Sequence, residues 1–136
     1  MKNHLENIPH CLSNIIPAHV PILQFTYKAG TFIFKEKESV KGVFYICSGQ
    51  IQLLKKDKNL QEQKLATAGI DEWMGISAAL FEKYYSNSAQ ALTDVKVCFI
   101  LLDDFDKMLP ENPVLAKQLL QNLTTKLNKL DYMHTV

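Results

Sequence analysis

Residues 82–92, EKYYSNSAQAL, combine serine hydroxyls, an asparagine amide and small alanines. That is the make-up of a bend in which backbone approaches a phosphate and hydroxyls donate to it. Such a site ordinarily adds an arginine, whose planar fork grips two phosphate oxygens at once. Here there is none, because all 15 basic residues of the chain are lysines. Lysine supplies a point charge on a flexible stem, so a bidentate clamp on phosphate or guanine is unavailable. The stretch reads either as an anion site weakened by loss of its cation or as a strand entry with turn-forming Asn and Ser. The strand entry is the preferred reading.

Other residues with chemical capacity form weaker constellations. His4, His10, Cys11 and His19 gather near the N-terminus, but a histidine beside a cysteine does not by itself build a tetrahedral zinc site, so no metal is expected. Cys47 and Cys98 lie in the apolar runs VFYIC and VCFILL, where a free thiol behaves as a small buried hydrophobe; redox sensing is the minority reading. Trp73 and Met74 precede Gly75 and could line a pocket, although packing is the commoner use of an aromatic there. Asp103, Asp104 and Asp106 suit the start of a helix, with Asp103 as its cap. Nothing combines serine, histidine and acid for hydrolysis, and an enzyme is not expected.

At 136 residues the chain has the size of one domain, able to fold without disulfide or metal. Its residues are 47% hydrophobic and 21% charged, the balance of an ordinary globular protein. A formal net charge of +1 argues against this segment gripping DNA or RNA directly. Three cysteines without paired spacing suit a reducing cytoplasm. The N-terminal residues, with scattered histidines and prolines, do not make a secretory signal, and no later run approaches the length of a membrane span.

The elements that must position these residues follow from changes in periodicity. Residues 4–16 allow one or two short helices, interrupted by Pro9 and stopped by Pro17. From Phe25 to Leu102 the pattern is short strands. FTYKAGTFIF holds two apolar runs around Ala29-Gly30; VFYICSGQIQLLKK reads as a hairpin turning at Ser48-Gly49; QKLATA, SAQALTD and VKVCFILL complete the set. Turn signals every 8 to 12 residues or so point to an all-β sandwich or barrel. A short helix, DFDKML, follows, and Asn112-Pro113 then opens a last helix running to the end of the chain.

That helix carries a heptad seam. Ala116, Leu120, Leu123, Leu127, Leu130 and His134 succeed one another at alternating spacings of four and three, while Leu115 and Leu119 lie off the seam. Two adjacent apolar faces imply two partners: the β domain for one face and a second copy of the chain for the other. The alternative is a helix lying wholly on its own core.

In order, YKAGTFIF, GVFYICSGQIQL, the glycine-led EWMGISAALF, SNSAQALTDVKVCFILLDDFDKML and the Asn-Pro helix resemble the sensor half of the Crp/Fnr family of bacterial transcription regulators over residues 22–136. The resemblance implies a single cyclic-nucleotide-binding-like domain, mainly β. Its fold would be a double-stranded β-helix, a jelly-roll-like β-roll, with short N-terminal helices over 1–20, the roll over 21–102, and C-terminal helices over 103–136. It implies a homodimer through a long C-terminal helix, and DNA contact only through a helix-turn-helix domain that would start where this sequence stops, at Val136. Some Fnr-type members hold an iron-sulfur cluster on N-terminal cysteines; here only Cys11 lies there, where about four thiolates would be needed.

The resemblance also implies a ligand pocket at Gly75, Ile76, Ser77, Ala78, Asn87, Ser88, Ala89, Leu130 and Asp131. In the cyclic-AMP-binding members an acid accepts the ribose hydroxyl where this sequence has Ile76. An arginine binds the cyclic phosphate where it has Asn87, and a hydroxyl pair meets adenine where it has Leu130 and Asp131. The segment from Gly75 to Ser88 is one residue longer than in those members. Backbone amides near Ser77 to Ala79 could still donate to an anion, without a cation beside them. A cyclic nucleotide is thus a disfavoured ligand, and the effector is an unknown small molecule. Two functions follow: the sensor and dimerisation domain of a Crp/Fnr-like regulator, which is preferred, or a stand-alone nucleotide- or small-ligand-binding module acting through protein contacts.

Overall fold

The computed structural model describes residues 10–123. Along the chain lie α1 (His10–Ser13), β1 (Leu23–Tyr27), β2 (Phe32–Phe34), β3 (Gly42–Ser48), β4 (Ile51–Lys56), β5 (Glu62–Ala68), β6 (Trp73–Met74), α2 (Ile76–Phe81), β7 (Ser88–Ala91), β8 (Val95–Leu101) and α3 (Leu102–Met108). A 3-10 turn (Leu109–Glu111) leads into α4, which spans 113–123. The strands make two antiparallel four-stranded sheets, in the orders β1-β8-β3-β6 and β2-β7-β4-β5.

The inner strands of the first sheet, β3 and β8, are buried on both faces. Phe44 and Ile46 of β3, with Val95, Val97 and Phe99 of β8, face the second sheet and form the interior of the roll. Val43 and Tyr45, with Cys98 and Ile100, face the other way, under Leu12, Ile16, Phe105, Leu115 and Leu119 from the helical segments. Both strands therefore read as nearly unbroken apolar runs rather than an in-out alternation. The edge strand β1 shows the contrast: four of its five residues are exposed.

Two expectations need correction. Residues 43–56 are not a hairpin: β3 pairs with β8 and β6, whereas β4 pairs with β5 and β7 in the other sheet. Ser48-Gly49 does turn the chain, but it carries it from one sheet to the next. Gly49 has φ 94, and a Cβ there would lie 2.4 Å from the Asp94 carbonyl oxygen, so the crossing admits only glycine. Asp103 does not cap α3. The helix starts two residues earlier than that cap implies, at Leu102, because the Leu102 N–H is already held by the Lys41 carbonyl at 3.0 Å; Asp103 and Asp104 occupy the first turn instead. Of the helices expected over residues 4–16, the described part is α1, ending at Ser13 before Pro17; residues 1–9 fall outside the described residues.

Asn112 does cap α4: its Oδ1 accepts the Leu115 N–H at 3.1 Å, while its Nδ2 donates to the Ile15 carbonyl at 2.9 Å and ties the N-terminal segment to the helix. Lys37, in the turn after β2, adopts φ 75, a left-handed conformation that a Cβ disfavours. Its N–H is fixed to the Tyr85 carbonyl at 2.8 Å, which holds the lysine in a backbone geometry that glycine adopts more readily. Replacing Lys37 by glycine removes a strain of roughly 1–2 kcal/mol and gives back roughly half through chain entropy. Thermal unfolding of Lys37→Gly is expected to move up by about 2–4 °C; an unchanged or lower midpoint would mean that the turn is not strained.

Candidate functional site

β6 and α2 build one wall of a cavity. Trp73 and Met74 pair with Tyr45 and Phe44 of β3, so Trp73 points to the helical side and Met74 into the roll. Gly75 then turns the chain with φ 80, and a Cβ there would lie 3.3 Å from the Tyr85 ring and 3.4 Å from the Gly42 carbonyl oxygen. Left-handed backbone and close neighbours together require glycine at this position. The opposite wall is the approach to β7, held in place by backbone bonds from Tyr85 to the Glu38 carbonyl and from Val40 to the Lys83 carbonyl, each 2.9 Å.

Between these walls lies a cavity of about 260 Å³. Phe34, Leu53, Leu65 and Met74 supply its apolar surface, and Leu123 of α4 reaches it from the helical layer. Its polar contributors are Ser77, Tyr85, Ser86 and Asn87, and none of the residues lining it bears a charge. Gly75, Ile76, Ser77, Ala78 and Asn87, named from the sequence, all line it. Ile76 is 1% exposed and belongs to the helix-side cluster with Trp73 and Leu115, so an apolar side chain here is part of the core. Ser77 is exposed; Asn87 is half-buried, and its Nδ2 donates to the Ser88 carbonyl at 3.1 Å.

Ser88 and Ala89 are not in this wall. Ser88 is buried at the start of β7, where its hydroxyl accepts the Glu36 N–H at 2.8 Å. It borders instead a surface cleft with Lys35, Lys37 and Lys56. Ala89 is wholly enclosed in the roll interior. Leu130 and Asp131 lie outside the described residues. Phe34, Leu53, Leu65, Phe81, Tyr85 and Leu123 line the cavity without having been singled out for it; the inward positions of β2 and β4 could have suggested Phe34 and Leu53. Trp73, a pocket candidate, packs instead against Tyr45, ring centroids 5.1 Å apart. Among the described residues no group of three His, Cys, Asp or Glu side chains is placed to hold a metal ion.

Trp73 also fastens α4. Its indole Nε1–H donates to Gln118 Oε1 at 2.9 Å, its backbone N–H donates to Asn122 Oδ1 at 3.2 Å, and Asn122 Nδ2 donates back to the Trp73 carbonyl at 3.4 Å. The helix therefore buries Leu115 and Leu119 on its own domain and leaves Leu120 65% exposed. Ala116 is half-buried. Leu123, counted in the seam, is partly buried against its own helix-side cluster; Leu127, Leu130 and His134 lie outside the described residues.

Residues 24–112 match the family described as cyclic nucleotide-binding domain. The chain belongs to that family, as a domain of the Crp/Fnr type. It is 27% identical over 105 residues, 77% of its length, to the cyclic AMP receptor protein of Thermus thermophilus. It spans about half, 49%, of that curated relative. Among solved structures it resembles the c-di-GMP-responsive global regulator CLP of Xanthomonas campestris, with a TM-score of 0.77 and 14% identity, covering 84% of this chain and 58% of that one. It also resembles the sensor domain of the transcriptional regulator DNR of Pseudomonas aeruginosa, with a TM-score of 0.68 and 19% identity, covering 92% and 83%. The fold shared with these proteins is a mainly β roll with few helices.

Tyr85 is the structural anchor of the cavity. Its ring stacks on Phe34 with centroids 4.0 Å apart; its hydroxyl donates to the Gly42 carbonyl at 3.2 Å and accepts the Lys41 N–H at 3.3 Å. Burial pushes its phenol above the usual value of 10.0. Tyr85→Phe leaves two backbone groups without this partner and is expected to cost about 1–3 kcal/mol near neutral pH. Because the folded pKa is the raised one, the wild type holds its advantage below pH 10 or so and loses it as pH climbs through the folded value. The gap between the two proteins in denaturant midpoint should therefore narrow in alkali; a gap that is absent at pH 7, or widens above pH 10, contradicts this role.

Proposed function

We propose that this chain is the sensor and dimerisation domain of a Crp/Fnr-type transcription regulator, occupying residues 1–136 as one domain. Its effector is a small, uncharged, mostly apolar molecule rather than cyclic AMP. The observation that carries this reading is the uncharged lining of the cavity behind Gly75, in a domain whose relatives include a cyclic AMP receptor protein. A cyclic phosphate entering there would leave water without meeting a cation. Forgoing a buried charge-assisted pair costs about 2–5 kcal/mol, or roughly thirtyfold to several thousandfold in affinity. Ile76 in the acid's place leaves the ribose without an acceptor, and Asn87 in the arginine's place offers the phosphate a neutral amide.

The helical layer supplies the output. Leu123 borders the cavity while Gln118 and Asn122, within the preceding turns, grip Trp73. An effector seated under Leu123 would act on the helix that bears the dimer seam. Leu120, exposed beside the half-buried Ala116, supports the reading of that seam as facing a second copy. DNA would be reached through a helix-turn-helix domain outside this sequence. Among the described residues no helix is long and apolar enough to cross a membrane, and the proposed site of action is the cytoplasm.

Calorimetric titration with cyclic AMP is expected to give no sub-micromolar binding, and sub-micromolar affinity would refute the uncharged-effector reading. Asn87→Arg, at a half-buried position, should gain about tenfold or more in cyclic AMP affinity, through one charge-assisted contact. No gain would mean that the loop does not present residue 87 to the phosphate. For the dimer, Leu120→Lys with Leu127→Lys sets like charges across a two-fold axis and should yield monomers in sedimentation with an unchanged strand signal in circular dichroism. A wild type already monomeric at micromolar concentration, or a double variant that stays dimeric, removes the seam from the interface.

A further inference from the structure

β3 and β8 bring together two thiols that lie 51 residues apart in sequence. The sulfurs of Cys47 and Cys98 are 3.0 Å apart, with Cys98 buried and Cys47 half-buried. The ladder explains the approach: Tyr45 faces Cys98 and Ile46 faces Val97, but the register then shifts so that Ser48 faces Lys96. Cys47 is the extra residue of this bulge, and a bulge re-aims the side chain it carries. Both sulfurs belong to the helical side of the sheet, where Gln24 Nε2 points at the Cys98 sulfur from 4.0 Å. A bond between them would be near 2.0 Å long, so about 1 Å of approach separates the pair from a disulfide.

We propose that Cys47 and Cys98 form a redox modification site, joined into a cross-strand disulfide by a hydroperoxide, and that closing it alters the hold of Trp73 on the terminal helix. The more exposed Cys47 meets the oxidant. Its thiolate attacks one oxygen of the O–O bond; an S–O bond forms, the O–O bond breaks, and the leaving oxygen takes up the proton that Cys47 released. Cys98, as thiolate, then attacks the sulfenic sulfur, forming S–S and expelling hydroxide, which takes the Cys98 proton and leaves as water. Two thiols thus give two electrons to the peroxide bond, and the products are a disulfide, water and an alcohol, or a second water from hydrogen peroxide itself. The Cys98 thiol is held below its ordinary value by the hydrogen bond from Cys47 and aided by Gln24, whereas Cys47 is pushed up. Cys98 is therefore the readier thiolate for the resolving attack, while the raised Cys47 thiol makes the first attack the slow step, faster as pH rises.

The consequence runs through Tyr45, which stands opposite Cys98 and two residues before Cys47 and packs edge-on against Trp73. Trp73 in turn binds Gln118 and Asn122 of α4. It is also the single tryptophan of the chain, so tryptophan emission reports on this one site. The test uses the full chain carrying Cys11→Ser, reduced and then treated with hydrogen peroxide. Both remaining thiols should disappear, peptide mapping should recover Cys47 linked to Cys98 within one chain, the Trp73 emission should shift, and dithiothreitol should reverse all three changes. Cys47→Ser and, separately, Cys98→Ala in the same background should give no cross-link and no reversible emission change. Two thiols that stay free, sulfurs oxidised separately without a cross-link, or linkage only between chains would each overturn the site. A cross-link that leaves Trp73 emission unchanged would overturn its coupling to the helix.

Discussion

Burial of β3 and β8 on both faces of the β1-β8-β3-β6 sheet is the constraint from which the rest of the structure follows. β3 and β8 send alternate side chains into two cores, Phe44, Val97 and Phe99 toward the facing sheet and Tyr45, Cys98 and Ile100 toward the helices. Each fully buried large apolar side chain is worth about 1.5–3 kcal/mol, so neither core can be given up without unseating the strands that form the other. The helices are consequently integral to the domain. Asn112 shows the same interdependence in polar terms: one side chain caps α4 and holds the Ile15 carbonyl.

The same logic accounts for a cavity that carries no charge without loss of fold. The roll stands on apolar contacts and strand ladders, and the cavity lies where β6 hands over to α2, at the seam between the two cores. A residue facing that seam can serve a ligand or serve the packing. Ile76 serves the packing, enclosed with Trp73 and Leu115. Tyr85 serves the wall, spending both hydrogen-bonding capacities of its hydroxyl on Lys41 and Gly42. The polar groups left to address a ligand are neutral hydroxyls and an amide, which orient a molecule without attracting an ion.

Strand positions, the cap at Asn112 and the division of α4 into a buried and an exposed face were legible because each depends on local spacing. Leu115 and Leu119 sit four apart, and the helical period alone sends them to one side. Sheet membership was not legible. Ser48-Gly49 carries a sound turn signal, yet a turn residue states that the chain changes direction and not which strand it will next meet; in this roll the chain changes sheet. β6, only two residues long, is too short to show a period. The start of α3 was decided by a carbonyl 61 residues away, at Lys41, that claims the Leu102 N–H and overrides the capping preference of Asp103. For the cavity, Gly75 to Ala78 and Asn87 were found by their place in a motif, whereas Leu53, Leu65 and Leu123 converge on it only in three dimensions.

Trp73 is where these separate constraints meet. It sits in the edge strand beside the doubly buried β3, one residue before the cavity wall, against Tyr45 on one side and bonded to Gln118 and Asn122 on the other. In the proposed sensor role, an effector shifts the helix only to the extent that it binds one seating of Leu123 better than another. A helix held solely by apolar contacts could slide among many seatings with little difference between them. Three hydrogen bonds with defined donors and acceptors, two of them to a single asparagine, make the present seating discrete. A competing position would have to break or replace all three, and interfaces built this way favour two distinct arrangements over a continuum. The polar grip on Trp73 thus supplies the specificity that the apolar cavity lacks.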